Sequence, residues 1–193
     1  MVIDVYCKNI GVPGKCGSRF FTKTIPFWGE PEYRKSFYDF YNGKYSLDYI
    51  IIRNPLSHLK SALKTEVMEC FDDTLKIEKI LNEFTNIVYG GTHFHPRFCQ
   101  IVYNISYKSK WNLEVVDLSN LSEFIEEKLH RIEFNKNDYD FHNDPTFKTK
   151  EDVWDRCISL YPDLMNKLVE LTKKDILYYD ALLGGNKNFI NLI

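Results

Sequence analysis

Residues 48–64, DYIIIRNPLSHLKSALK, constrain the fold more than any other stretch of the chain. Tyr49 to Ile52 form an unbroken apolar run, the pattern of a strand covered on both faces rather than one with a wet side. Asn54 can then cap a helix and Pro55 can take its first position, where the missing N–H costs nothing. The spacing predicts a buried strand passing directly into a helix that runs to about Lys64. A strand with two covered faces needs layers on both sides, which points to an α/β domain with a mainly parallel sheet.

The rest of the chain supplies those layers. EVMECFDDTLKIEKILNEFTNIV, residues 66–88, repeats apolar residues at three and four and predicts one or two helices, which YGGTHFHP interrupts. FCQIVYNI (98–105) reads as a second strand and LEVVDL (113–118) as a third. Asn120 and Glu123 resemble a capping arrangement for a helix over LSEFIEEKLH. Residues 135–150 are polar and poor in helix formers, a length and composition typical of a functional loop. Residues 151–183 then predict one or two closing helices. No repeat, low-complexity tract or linker divides the 193 residues, so a single domain spanning 1–193 is expected.

Charge and cysteine content narrow the function. With 25 basic and 27 acidic side chains the net charge is −2, which argues against a general nucleic-acid binder and makes any anion site a local one. No apolar run is long enough to span a bilayer and no secretory leader pattern opens the chain, so a soluble, cytoplasmic protein without membrane partners is expected. Five cysteines in no paired spacing favour reduced thiols.

The chemistry concentrates in VPGKCGSRFF, residues 12–21. Gly14 and Gly17 let the backbone come close to a ligand, while Lys15, Ser18 and Arg19 add charge and donors suited to a phosphate or sulfate. A turn with surface cations has the same composition. The common nucleotide motif G-x-x-x-x-G-K-[ST] fails at two places, because Asn9 stands at its first glycine and Cys16 where Mg²⁺ would need a hydroxyl.

PGKCGSRFF together with IIIRNPLSHLKSAL is similar to the two cosubstrate-binding segments of the sulfotransferase superfamily, whose members use 3′-phosphoadenosine 5′-phosphosulfate (PAPS). In that family a strand leads into a Pro-Lys-x-Gly-[ST]-[ST]-aromatic loop, and a later strand ends in Arg, often Arg-[ND]-Pro, with Ser eight positions on. Arg53, Asn54, Pro55 and Ser61 keep that order and spacing. Gly14 stands where proline is usual, Arg19 takes the second hydroxyl position, and the interval between the segments lacks the histidine many members place there. THFHPRF, LEVVDLSNLSEFIEEKL and YPDLMNKLVELTKKDILYYD resemble later segments of the carbohydrate-modifying branch, with Arg97 where that branch has glutamine.

The resemblance implies a P-loop-like three-layer sandwich and a set of roles. Lys15 would meet the transferred group. Gly14, Gly17, Ser18 and Arg19 would hold the 5′-phosphate, Phe20 would pack on adenine, and Arg53 with Ser61 would take the 3′-phosphate. Asn135 and Lys148, with their neighbours Lys136 and Thr149, would close over the cosubstrate from the late polar loop. It implies PAPS as cosubstrate, its bisphosphate PAP as product, no metal, and a carbohydrate or other small-molecule acceptor bearing a hydroxyl or amine.

Sulfonyl transfer by in-line displacement fits these side chains, since it requires cations at the leaving phosphate and a base at the acceptor. His95 is the first candidate base, His93 the second and Glu30 the carboxylate alternative. His93 and His95 equally suit backbone bonding inside a glycine-broken loop. With Cys99 they make an incomplete zinc set, lacking a fourth ligand at familiar spacing. Two rival readings stay open: a kinase-like nucleotide-binding protein that needs Mg²⁺, and a non-catalytic module that binds the bisphosphate.

Overall fold

A computed structural model describes residues 2–5, 8–12, 16, 34–35, 47–86, 94–108, 113–128 and 149–184. Five strands form one sheet in the order β3-β1-β2-β4-β5, where β1 is Val2–Val5, β2 Lys8–Gly11, β3 Arg34–Lys35, β4 Tyr49–Ile52 and β5 Glu114–Asp117. Strands β2, β4 and β5 run parallel, with Gly11 opposite Ile50 and Ile52 opposite Asp117. β1 pairs antiparallel with both β2 and β3. The sheet is therefore mixed: the expected parallel sheet is its three-stranded part, and an antiparallel edge extends it.

Six α-helices are described: α1 Pro55–Val67, α2 Thr74–Thr85, α3 Phe98–Lys108, α4 Leu121–Lys128, α5 Lys150–Leu160 and α6 Pro162–Leu183. Asn54 caps α1 as its position suggests, its Oδ1 accepting from the Leu56 and Ser57 amides at 3.1 and 3.2 Å, and Pro55 opens the helix. The helix runs one turn past Lys64, because Val67 is buried in the same core as Leu59 and Leu63. Thr149 and Asp152 form a reciprocal capping box at the start of α5. Thr149→Ala should cost about 1 kcal/mol in a denaturant titration; an unchanged midpoint would show that the box adds nothing.

The apolar run of β4 is explained by what lies on its two faces. Ile51, with Val116 of β5 and Ile10 of β2, packs under Leu121, Phe124 and Ile125 of α4. Ile50 and Ile52 point the other way, against Phe98, Cys99 and Val102 of α3 and the Tyr178, Tyr179 and Leu182 side of α6. These layers, with the sheet between them, make a coarse three-layer sandwich. A second core joins α1 to α2, α5 and α6 through Leu59, Leu63, Ile77, Leu81, Val153 and Leu168. His58 is buried in the seam below it, edge-on to Phe94 and Phe98.

Two local expectations are corrected. FCQIVYNI is the helix α3, not a strand. Its buried residues Phe98, Cys99, Val102 and Tyr103 lie one and four apart, which is one face of a helix; the β-branched and aromatic content suggested a strand, but tertiary packing outweighs propensity. The turn before α4 begins at Leu118, where Asp117 caps it by accepting from the Ser119 amide at 2.6 Å. Asn120 is the last residue of that 3₁₀ turn. No described helix is long and apolar enough to cross a membrane.

Candidate functional site

The three parallel strands end together, and ligands of open α/β sheets bind at that carboxyl edge. Arg53 follows β4 directly and Asp117 closes β5 beside it, opposite Ile52. From β2 the chain passes Val12 and returns as Cys16, both fully buried in the core beneath α4. Cys16 lies within electrostatic reach of Arg53 and of Asp117. The two sequence segments that carry the resemblance thus meet at one edge, at their described residues.

Arg53 is held rather than loose. Its Nε donates to Ser57 Oγ at 3.1 Å, one helical turn on, which fixes the plane of the guanidinium. Ser61 follows Ser57 by another turn on the same face and is half-buried. Burial lowers the Arg53 pKa from its ordinary value, and the Cys16 sulfur partly offsets this. The Cys16 thiol is itself pushed up to about 12, burial outweighing the favourable Arg53 charge, so it is a protonated packing group.

Lys150 joins Arg53 from the first turn of α5. Its pKa is lowered by burial first, then by repulsion from Arg53 and Lys64, with Lys60 adding to this and Glu151 opposing it. A cation at a helix N-terminus also faces the positive end of the helix dipole. Lys150 is thus placed against its structural preference, among like charges. That arrangement can hold an oxyanion beside Lys150, because a bound anion would relieve the repulsion that acts on it.

A polar tier underlies the edge. The Tyr179 hydroxyl of α6 donates to Asp117 Oδ2, and burial followed by this bond raises the phenol above its usual range. Further along, Asp175 of α6 accepts from the Cys99 and Gln100 amides at 3.0 and 2.8 Å, so a residue distant in sequence caps α3. The Cys99 thiol also donates to Asp175 and is raised well above its ordinary range, chiefly by burial.

Of the sequence-derived candidates, the described residues include Arg53, Ser61 and His95; Arg53 stands between β4 and α1, and Ser61 lies on α1 itself. His95 precedes α3 and is half-buried, with its Nδ1 accepting from the Arg97 amide at 3.2 Å. Burial, then the Arg97 charge, lowers it to about 4, so it is neutral at pH 7 and a weak base. Thr149 serves the α5 capping box. Gly14, Lys15, Gly17, Ser18, Arg19, Phe20, Glu30, His93, Asn135, Lys136 and Lys148 lie outside the described residues.

Sequence reasoning missed Ser57, Lys60, Lys64 and Lys150. Ser57 had a signal, its position one turn from Arg53 on the predicted helix; Lys150 had none until α5 was folded back onto α1. No family model, curated protein or solved structure matches the chain.

Proposed function

We propose that the protein is a sulfotransferase moving a sulfonyl group from PAPS to a hydroxyl or amine of an acceptor, most simply a carbohydrate. The observation that carries the reading is the meeting at one sheet edge of Arg53, fixed by Ser57, with Cys16 and Lys150. It joins the end of the glycine-lysine segment to the Arg-Asn-Pro segment. In this reading Arg53 and Ser61 hold the 3′-phosphate, and the loop around Lys15 holds the 5′-phosphosulfate. The acceptor oxygen forms a bond to sulfur as the bond from sulfur to the 5′-phosphate oxygen breaks, and the acceptor proton passes to a base. Lys15 meets the charge that grows on the leaving oxygen.

Calorimetric titration with adenosine 3′,5′-bisphosphate and with AMP tests this directly. Wild type should prefer the bisphosphate. Arg53→Ala should weaken it by about 1.5–3 kcal/mol, the worth of a charge-assisted hydrogen bond, while AMP binding changes little. Equal weakening of both ligands would remove Arg53 from the 3′-phosphate. Ser57→Ala should show the same selectivity at about 0.5–1.5 kcal/mol, because it frees the guanidinium without removing its charge. Transfer of labelled sulfonyl from PAPS should persist in the presence of a chelator; strict Mg²⁺ dependence would favour the kinase-like reading instead.

A further inference from the structure

The cations at this edge are more than one phosphate can use. Lys64 lies nine residues beyond Pro55, where α1 begins two residues after Arg53, which at about 1.5 Å per residue is about 14 Å along the helix. Lys60 and Lys64 lie on the side of α1 that faces α5, and Lys60 Nζ sits 5.2 Å above the ring of Trp154. Among the described residues neither lysine forms an ion pair with a carboxylate, whereas Lys76, Lys79, Lys128 and Lys173 each do. All three of Lys60, Lys64 and Lys150 are half-buried, so their mutual repulsion is less screened than on an open surface.

Helix energetics accounts for part of this only. Lys64 in the last turn of α1 complements the helix dipole, but Lys150 in the first turn of α5 opposes it. We propose that Lys60, Lys64 and Lys150, with Trp154, form a second oxyanion site along the α1–α5 seam, for sulfate or phosphate esters carried by the acceptor. The assignment of that ligand as the acceptor rests on the sulfotransferase reading; the binding rests on the lysines alone. The positive face is short. Glu66 and Glu69 follow it on α1, and Glu151, Asp152 and Asp155 follow Lys150 on α5. A compact multiply charged ligand fits that length better than a nucleic acid strand, whose charge would continue into the acidic flanks.

The test is calorimetry at two salt concentrations with fully sulfated sucrose, inositol hexakisphosphate, inorganic phosphate and a short oligothymidylate. The variant is Lys60→Gln/Lys64→Gln, with Lys173→Gln/Lys174→Gln on exposed positions of α6 as control. The paired variant should bind the sulfated sugar or the inositol phosphate at least about tenfold more weakly, with a salt dependence shallower by about 1–2. The tighter of the two ligands identifies the ester class. The same variant should keep its affinity for adenosine 3′,5′-bisphosphate within about threefold, and its free form should melt close to wild type, the relieved repulsion offsetting the lost Trp154 and helix-dipole interactions.

Equal weakening in the control pair, or no weakening in the paired variant, would overturn the site. Tighter binding of oligothymidylate than of either ester would make the face a nucleic-acid surface, and inorganic phosphate matching the esters would reduce it to a single-ion site. If wild type ignores the bisphosphate while the ester results hold, the sulfotransferase reading fails and the second site stands.

Discussion

Lys15→Ala will lower sulfonyl transfer by about a hundredfold to a thousandfold, the usual consequence of removing one group that stabilises an anionic transition state. Affinity for adenosine 3′,5′-bisphosphate will fall far less, because that ligand lacks the sulfonyl group and the charge that develops as it leaves. Single-turnover rates at saturating PAPS, set beside calorimetric affinities, separate the two effects. The position is chosen by sequence: Lys15 lies between Val12 and Cys16, both buried at the carboxyl edge, and Cys16 is within reach of Arg53. A variant with undiminished transfer would take Lys15 out of the mechanism. Equal loss of rate and affinity would make it a ground-state binding residue.

What was legible in the sequence is what local chemistry decides. β4 into α1 could be read residue by residue because a strand covered on two faces is apolar throughout, and because Asn54 and Pro55 are cap residues whose function depends on their immediate neighbours. β5 and the helices within 66–88 and 151–183 were legible from their apolar patterns, while the caps Asp73 and Thr149 were not read, and Thr149 and Lys150 were placed in the polar loop. α3 did not. Phe98–Ile105 has strand-like composition, and its helical state depends on partners far away in the chain: Ile50 and Ile52 on one side and the Asp175 carboxylate at its N-terminus.

The antiparallel edge of β1 and β3 was equally hidden, since Arg34–Lys35 is a two-residue strand with no periodicity to read. At the candidate site, Arg53 and Ser61 were singled out through the resemblance whose spacing they keep. Lys60, Lys64 and Lys150 became a cluster only when α5 packed on α1, so no spacing rule along the chain relates them.

The pH dependence of stability will be shallow in wild type between about pH 4 and 6, because two groups oppose each other there. Asp175 is 2 % exposed, and burial raises its pKa from 3.8 to about 6, against the lowering effect of the bonds from Cys99 and Gln100. The folded state therefore holds a proton that the unfolded chain has lost. Stability contributed by Asp175 is greatest below pH 3.8 and falls by about 3 kcal/mol as pH rises through 6.

His95 works in the other direction. Its pKa falls from 6.5 to about 4, so the unfolded chain binds the extra proton and stability rises with pH across the same interval. His95 is only half-buried as a residue, against 2 % exposure for Asp175, so its contribution is the smaller one. Asp175→Asn should remove the falling component and leave stability rising with pH, whereas His95→Asn should steepen the fall. Asp175→Ala should also cost about 2–4 kcal/mol at pH 7, since it leaves the Cys99 and Gln100 amides buried without their acceptor. Urea titrations at pH 4, 5, 6 and 7 measure all three variants against wild type. If Asp175→Asn keeps the wild-type profile, the carboxylate is ionised throughout and the Cys99 and Gln100 amides outweigh its burial; if His95→Asn keeps it, water screens the imidazole fully.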